Sequence, residues 1–219
     1  VYLRNIGYQK QIFVLNQPFE SEIQKIINYN IVVGISSHNF AKKLAETGRE
    51  VVVHIEIGTG MGRTGIDKKD LKEFIEKVKT CDNIDVRGIY SHMSSADFDE
   101  DYTNTQIEIF ENGVKIIKNE FENIEYVHIS ASNGILNFKN AYYNAVRPGI
   151  ILYGYEPFEN AGLKISLKPV CKLKSRITFL KEVPTGTSIG YSRTFITNRT
   201  TKIATIPIGY ADGFRREYA

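Results

Sequence analysis

The stretch Ile55-Glu56-Ile57-Gly58-Thr59-Gly60-Met61-Gly62-Arg63-Thr64-Gly65-Ile66 sets four glycines and an arginine directly after a run of apolar, mostly β-branched residues. A flexible, amide-rich loop ending in a cation suits an anion. Gly60 to Gly65 also fits G-x-G-x-x-G, the pattern that cradles a dinucleotide pyrophosphate. Two features argue against that ligand. The fingerprint needs an acid closing the next strand about 20 residues on, whereas here that strand ends in Tyr90-Ser91-His92-Met93-Ser94-Ser95. Glu56 also interrupts a strand that should be apolar throughout. What remains is either a plain glycine-rich turn or a loop whose glycines let Arg63 reach into a site.

Other residue types able to do chemistry follow further along. His92 ends an apolar strand and precedes Ser-Ser-Ala-Asp, Ser132-Asn133-Gly134 follows the next strand, and Arg147-Pro148-Gly149 follows the one after. Ser132 either caps a helix or offers a hydroxyl and backbone amides to an anion. An arginine aimed inward before Pro-Gly and a helical start supplies a buried cation with amides beside it. Gly209-Tyr210-Ala211-Asp212-Gly213 ends a β-strand and reads as a turn carrying a tyrosine. His54 and His128 have no polar cluster after them and read as satisfied core histidines.

Short apolar strands alternating with longer amphipathic helices must position these groups. Strands are expected at 12–15, 31–36, 51–57, 86–92, 126–131 and 145–147, and helices at 21–29, 39–46, 67–79 and 102–121. Strict βα alternation predicts a parallel sheet. A (β/α)8 TIM barrel is favoured over a doubly wound sheet because the unusual residues all follow strands, and a barrel gathers its strand ends on one face. Only six strands are visible and Val1 falls in what reads as the tail of a helix, so the first two strands are expected upstream. Beyond residue 155 the pattern changes. Glu156 to Gly162 reads as a linker, and strands are expected at 172–180, 188–195 and 201–207. The expected organisation is a partial TIM barrel over 1–155 and the start of an all-β domain over 156–219, too short to close a core of its own.

The totals fit that picture. In 219 residues, 42% are apolar and 24% charged, which is ordinary globular composition. A net charge of +3 does not suggest a dedicated nucleic-acid surface. Cys81 and Cys171 stand far apart without zinc-ligand spacing, so neither a metal site nor a disulfide framework is expected. No run approaches a membrane span and no signal peptide opens the chain, so a cytoplasmic location is expected.

Taken in order, GTGMGRTGI, GIYSHMSSAD, HISASNGIL, NAVRPGIILYG, LKPVCKLKSRI, GYSRTF and IPIGYADGF resemble the alanine racemase family, and the resemblance covers essentially the whole chain. It implies a pyridoxal 5'-phosphate enzyme of fold type III that interconverts L- and D-alanine for cell-wall peptidoglycan, as a head-to-tail homodimer. Carried over motif by motif, Arg147 meets the cofactor's pyridine nitrogen, and Ser132, Gly149 and Ile150 hold its phosphate. His92 lies beneath the ring as a partner of Arg147. Arg63 serves the substrate carboxylate, and Tyr210 is one of two opposed bases, donated to the partner subunit's site.

This chain departs from the family pattern in three ways. The lysine that tethers the cofactor and serves as the second base has no counterpart, because the family places it on the first barrel strand. The later tyrosine that helps hold the phosphate, and the end of the β-domain, are missing too. Glu56 stands where many members carry a carbamylated lysine, and Gly58 where they carry an aspartate. A glutamate supplies negative charge without modification and is expected to pair with Arg63. Serine racemisation, a non-catalytic cofactor-binding protein and an NAD-binding domain remain as alternatives.

Overall fold

The computed structural model describes residues 1–157 and 166–215. It divides into two compact units, Val1–Pro169 and Val170–Ala219. The expected linker falls mostly outside the described residues.

The first unit is built on one parallel sheet. Its strands are β1 (Phe13–Val14), β2 (Val32–Ile35), β3 (Val51–Gly58), β4 (Ile66–Asp67), β5 (Ile84–Tyr90) and β6 (Tyr126–His128), in the order β1-β2-β3-β5-β6 with β4 added at the end of β3. Between them run α2 (Ile23–Asn28), α3 (His38–Ala45), α4 (Leu71–Lys79) and α5 (Glu100–Lys118), after a short opening α1 (Tyr2–Asn5). This is part of a (β/α)8 barrel followed by antiparallel strands, as the alternation predicts.

Period-two patterning makes the two sheet faces different. Val53, Ile55, Ile57 and Ile89 join Phe40, Leu44, Leu71, Phe74, Ile75 and Phe110 of the helices in one buried apolar core. The other face carries His54, Glu56, Tyr90 and His128, all buried. The helices present apolar residues at i, i+3, i+4 and i+7, such as Leu71, Phe74, Ile75 and Val78 of α4, so one face of each meets the sheet. Asp99 caps α5 by accepting from the Tyr102 N–H at 3.0 Å.

Two elements of this unit differ from expectation. Residues 145–147 form no strand. The Asn144 side chain accepts from the Val127 N–H and donates to the Glu125 carbonyl, both at 2.7 Å, so it occupies the edge of β6 that a strand would use. A single backbone bond remains there, from Arg147 N–H to the Ser130 carbonyl at 2.9 Å. The expected helix at 67–79 starts only at Leu71, because Ile66–Asp67 pairs with β3 instead.

In the second unit, β7 (Phe179–Val183) pairs antiparallel with β10 (Thr201–Thr205), a ladder shifted from the strand expected at 172–180. The strand expected at 188–195 is instead a hairpin of β8 (Ser188–Ile189) and β9 (Phe195–Ile196). Gly190, Ser192 and Arg193 all take positive φ, which turns the chain back on itself. Among this unit's described residues only Val183 and Thr197 are buried.

Candidate functional site

The glycine loop closes back onto its own strand. Gly60, Gly62 and Gly65 have positive φ, and a Cβ on Gly65 would strike the Gly58 backbone. The loop then enters β4, with helix α4 starting later, which is not how a dinucleotide loop opens its helix.

Glu56 projects to the inner face and is 3% exposed. A carboxylate buried there is costly unless it is hydrogen-bonded. Its partners are hydroxyls: Thr64 donates to it at 2.7 Å, Ser36 at 3.1 Å and Tyr90 at 3.0 Å. The Tyr90 hydroxyl also meets the Leu15 carbonyl, so its one proton is shared between two acceptors. The expected ion pair with Arg63 does not form. Arg63 is exposed, and the ion pairs found among the described residues do not include Glu56. The hydroxyls lie closer to the carboxylate than the loop's guanidinium and satisfy it first. Both residues nevertheless line one small recess, with Thr59, Thr64, Ser91 and His92.

Arg147 is the centre of the site. One terminal nitrogen donates to His128 Nδ1 at 2.6 Å and to the His128 carbonyl at 3.1 Å. The other donates to the Ser91 carbonyl at 2.7 Å, the Ile129 carbonyl at 3.0 Å and His92 Nδ1 at 3.1 Å. All four terminal N–H groups are thereby engaged. The buried Nε–H has no acceptor among the described residues. Burial pulls the Arg147 pKa down to about 10, which leaves it charged at neutral pH.

An arginine only donates, so each histidine nitrogen facing it is a bare acceptor. His92 and His128 are therefore neutral with the proton on Nε2. Burial first, and the Arg147 charge second, hold His92 down to about 4 and His128 to about 2. The chain continues: His128 Nε2 lies 3.0 Å from His54 Nδ1. His54, likewise held down to about 4 by burial and Arg147, keeps its proton on a buried Nε2 that has no partner among the described residues.

Close by, the Gly149 N–H donates to Ser132 Oγ at 3.0 Å. Ser132 opens α6 (Ser132–Asn137), and Ile150 opens a 3-10 turn, Ile150–Tyr153. Two helical openings meet where their first amides lack intrahelical acceptors. In the second unit, Tyr210 begins a 3-10 turn, is exposed, and stacks at 6.3 Å on Tyr191.

The structure thus joins Arg147 to His92 and Ser132 to Gly149, sets Ile150 beside them, and sets Arg63 at the recess shared with Glu56. Tyr210 belongs to the other unit. Sequence reasoning missed His128 and His54, which were assigned to the core, and also Tyr90. The available signal was alternation: His54 and Glu56 share a strand face, so an inward glutamate implies an inward histidine.

A parallel barrel sheet with a buried cation, neutral histidines and hydroxyls at its strand ends, followed by an antiparallel unit, defines the class as a partial (β/α)8 barrel joined to a β unit. Residues 1–157 match the family profile described as the alanine racemase N-terminal domain, and residues 170–219 that of the alanine racemase C-terminal domain. The chain belongs to the alanine racemase family. It is 38% identical to the alanine racemase of Halothermothrix orenii over 99% of this chain and 58% of that protein. Its identity to the alanine racemase of Methanococcus maripaludis is also 38%, over 98% of this chain and 59% of the relative. Among solved structures, alanine racemase from E. faecalis superposes with a TM-score of 0.88 at 29% identity, over 98% of this chain and 59% of that one. The Clostridium difficile 630 alanine racemase in complex with cycloserine gives 0.81 at 30%, over 98% and 57%. The chain therefore spans a little over half the length of these relatives. No helix among the described residues is long and apolar enough to cross a membrane.

Proposed function

We propose that the intact protein is a pyridoxal-phosphate-dependent amino-acid racemase acting on alanine, in the cytoplasm and as a homodimer, supplying D-alanine for cell-wall peptidoglycan. The observation that carries this reading is the buried Arg147 Nε–H, a fixed donor without an acceptor among the described residues, beside five engaged contacts. A pyridine nitrogen is an acceptor of the right kind for it. Because arginine cannot accept a proton, that nitrogen would stay unprotonated.

Bound there, pyridoxal phosphate would supply an electron sink that makes the substrate Cα proton acidic. The chain's own residues do the rest. Ser132 Oγ with the Gly149 and Ile150 amides would hold the phosphate, as helical openings hold anions. His92, neutral and donating from Nε2, would lie beneath the ring. Arg63 would bind the substrate carboxylate, with Glu56 fixing the loop that carries it. Tyr210 would move a proton at Cα on one face, and a second base, outside this chain, on the other.

An absorbance scan of the intact protein tests the cofactor, with a band expected near 420 nm (roughly, for an imine of the cofactor) that borohydride abolishes. D-alanine formation from L-alanine tests the reaction, and Tyr210→Phe should abolish it while sparing the band. No band, or faster turnover of serine than of alanine, would reject the cofactor or the substrate respectively.

A further inference from the structure

We propose that His54 is a positioning residue for Arg147, acting through His128 as the last acceptor of a chain of neutral histidines locked in one tautomer. Arg147 emerges from an irregular segment, so regular strand pairing does not fix its direction. Its guanidinium is aimed by what accepts from it, and His128 Nδ1 is the shortest of those contacts at 2.6 Å.

His128 can accept there only while its proton sits on Nε2, and that proton needs a buried acceptor. His54 Nδ1 supplies one at 3.0 Å. A protonated His54 would point an N–H at an N–H, so the chain works with both rings neutral. The His54 ring is itself held by stacking on Phe13 at 4.4 Å and Tyr126 at 5.7 Å. His128 stacks on Tyr90 at 5.3 Å with the rings 10° apart.

The strand between the two histidines makes their contact possible. In the sheet His54 stands opposite Gly88 of β5, and Gly88 opposite Tyr126 of β6. A register shift between Val53 and His54 makes Gly88, and not Arg87, the opposing residue. A Cβ on Gly88 would lie well inside van der Waals contact of the His54 ring. The ring therefore lies across the bare backbone of β5 and reaches a strand two places away. His54 is buried on the same face as Arg147's partners, and among the described residues its hydrogen-bond and ring contacts are with His128, Phe13 and Tyr126, none of them assigned to ligand.

The consequence for ligand binding rests on Arg147 being the ring-nitrogen donor; the histidine chain does not. Two measurements separate them. Imidazole nitrogen spectra of the intact protein without cofactor should report His128 and His54 as Nε2–H tautomers. Either ring as the Nδ1–H tautomer overturns the proposal, whatever the cofactor does. The second compares His54→Asn, whose Oδ1 replaces the Nδ1 acceptor, with His54→Phe, which keeps the stacking and removes the acceptor. His54→Phe should weaken pyridoxal phosphate binding by about fivefold, the worth of one lost hydrogen bond, and His54→Asn by less than about twofold. The reverse order, or equal damage from both, would make His54 a packing residue only. Failure of the wild-type protein to bind the cofactor would reject the proposed function and leave the tautomer test to decide the chain.

Discussion

Thr64 ties the glycine loop to the barrel by donating its hydroxyl to the Glu56 carboxylate at 2.7 Å. The bond joins the far side of a loop with three positive-φ glycines to the middle of a strand. Arg63 immediately precedes Thr64, so its position follows from this anchor and not from an ion pair of its own. Thr64→Val, which removes the hydroxyl at constant shape, should lower stability by about 1 kcal/mol. In the intact enzyme it should raise the substrate KM with kcat within about twofold. Denaturant melts and steady-state kinetics check both, and an unchanged KM would detach Arg63 from the substrate.

Gly88→Ala should destabilise the protein by about 1–3 kcal/mol, the usual cost of overpacking, because the new methyl overlaps the His54 ring. The damage should be partly relieved by adding His54→Asn, which is smaller. Additive losses in the double variant would show that the two positions do not share space.

Acid should unfold this barrel earlier than its carboxylates alone would. His54 and His92 are held down to about 4 and His128 to about 2, against 6.5 for a free histidine. Between those values the unfolded chain binds protons that the folded chain refuses, so stability rises with pH. This contribution is complete above about pH 6.5 and is lost progressively as pH falls toward 4. Urea midpoints measured from pH 7.5 to 4.5 should fall in that window. A flat profile would mean that the rings titrate as in water.

Arg147→Lys should cost the intact protein at least about tenfold in pyridoxal phosphate affinity, read by absorbance titration. An ammonium has three donors on one atom. It cannot serve three carbonyl groups and two histidines on separate sides, and it offers no Nε–H. Wild-type affinity in this variant would dismiss Arg147 as the ring-nitrogen donor.

Much of the scaffold was legible because periodicity is local. The alternating runs predict β2, β3, β5 and β6 within a few residues, and the spacing of Leu71, Phe74, Ile75 and Val78 predicts the apolar face of α4. Arg147 was legible too, because Arg-Pro-Gly before a helical start is an uncommon neighbourhood. The inward direction of Glu56 follows from strand alternation alone.

Tertiary structure decided who meets whom. Glu56 finds Ser36 at 20 residues' separation and Tyr90 at 34, and bonds to both but not to Arg63, which is much nearer in sequence. A side chain from Asn144 settles the fate of residues 145–147 by occupying the edge of β6. His54 and His128 read as ordinary core residues because each strand alone gives them nothing polar to face. Their contact spans 74 residues and exists only because a register shift sets Gly88 between them. Sequence determines which face a side chain leaves from. The distance it crosses, and the group it meets there, are set by the strands lying between, and no local pattern encodes those.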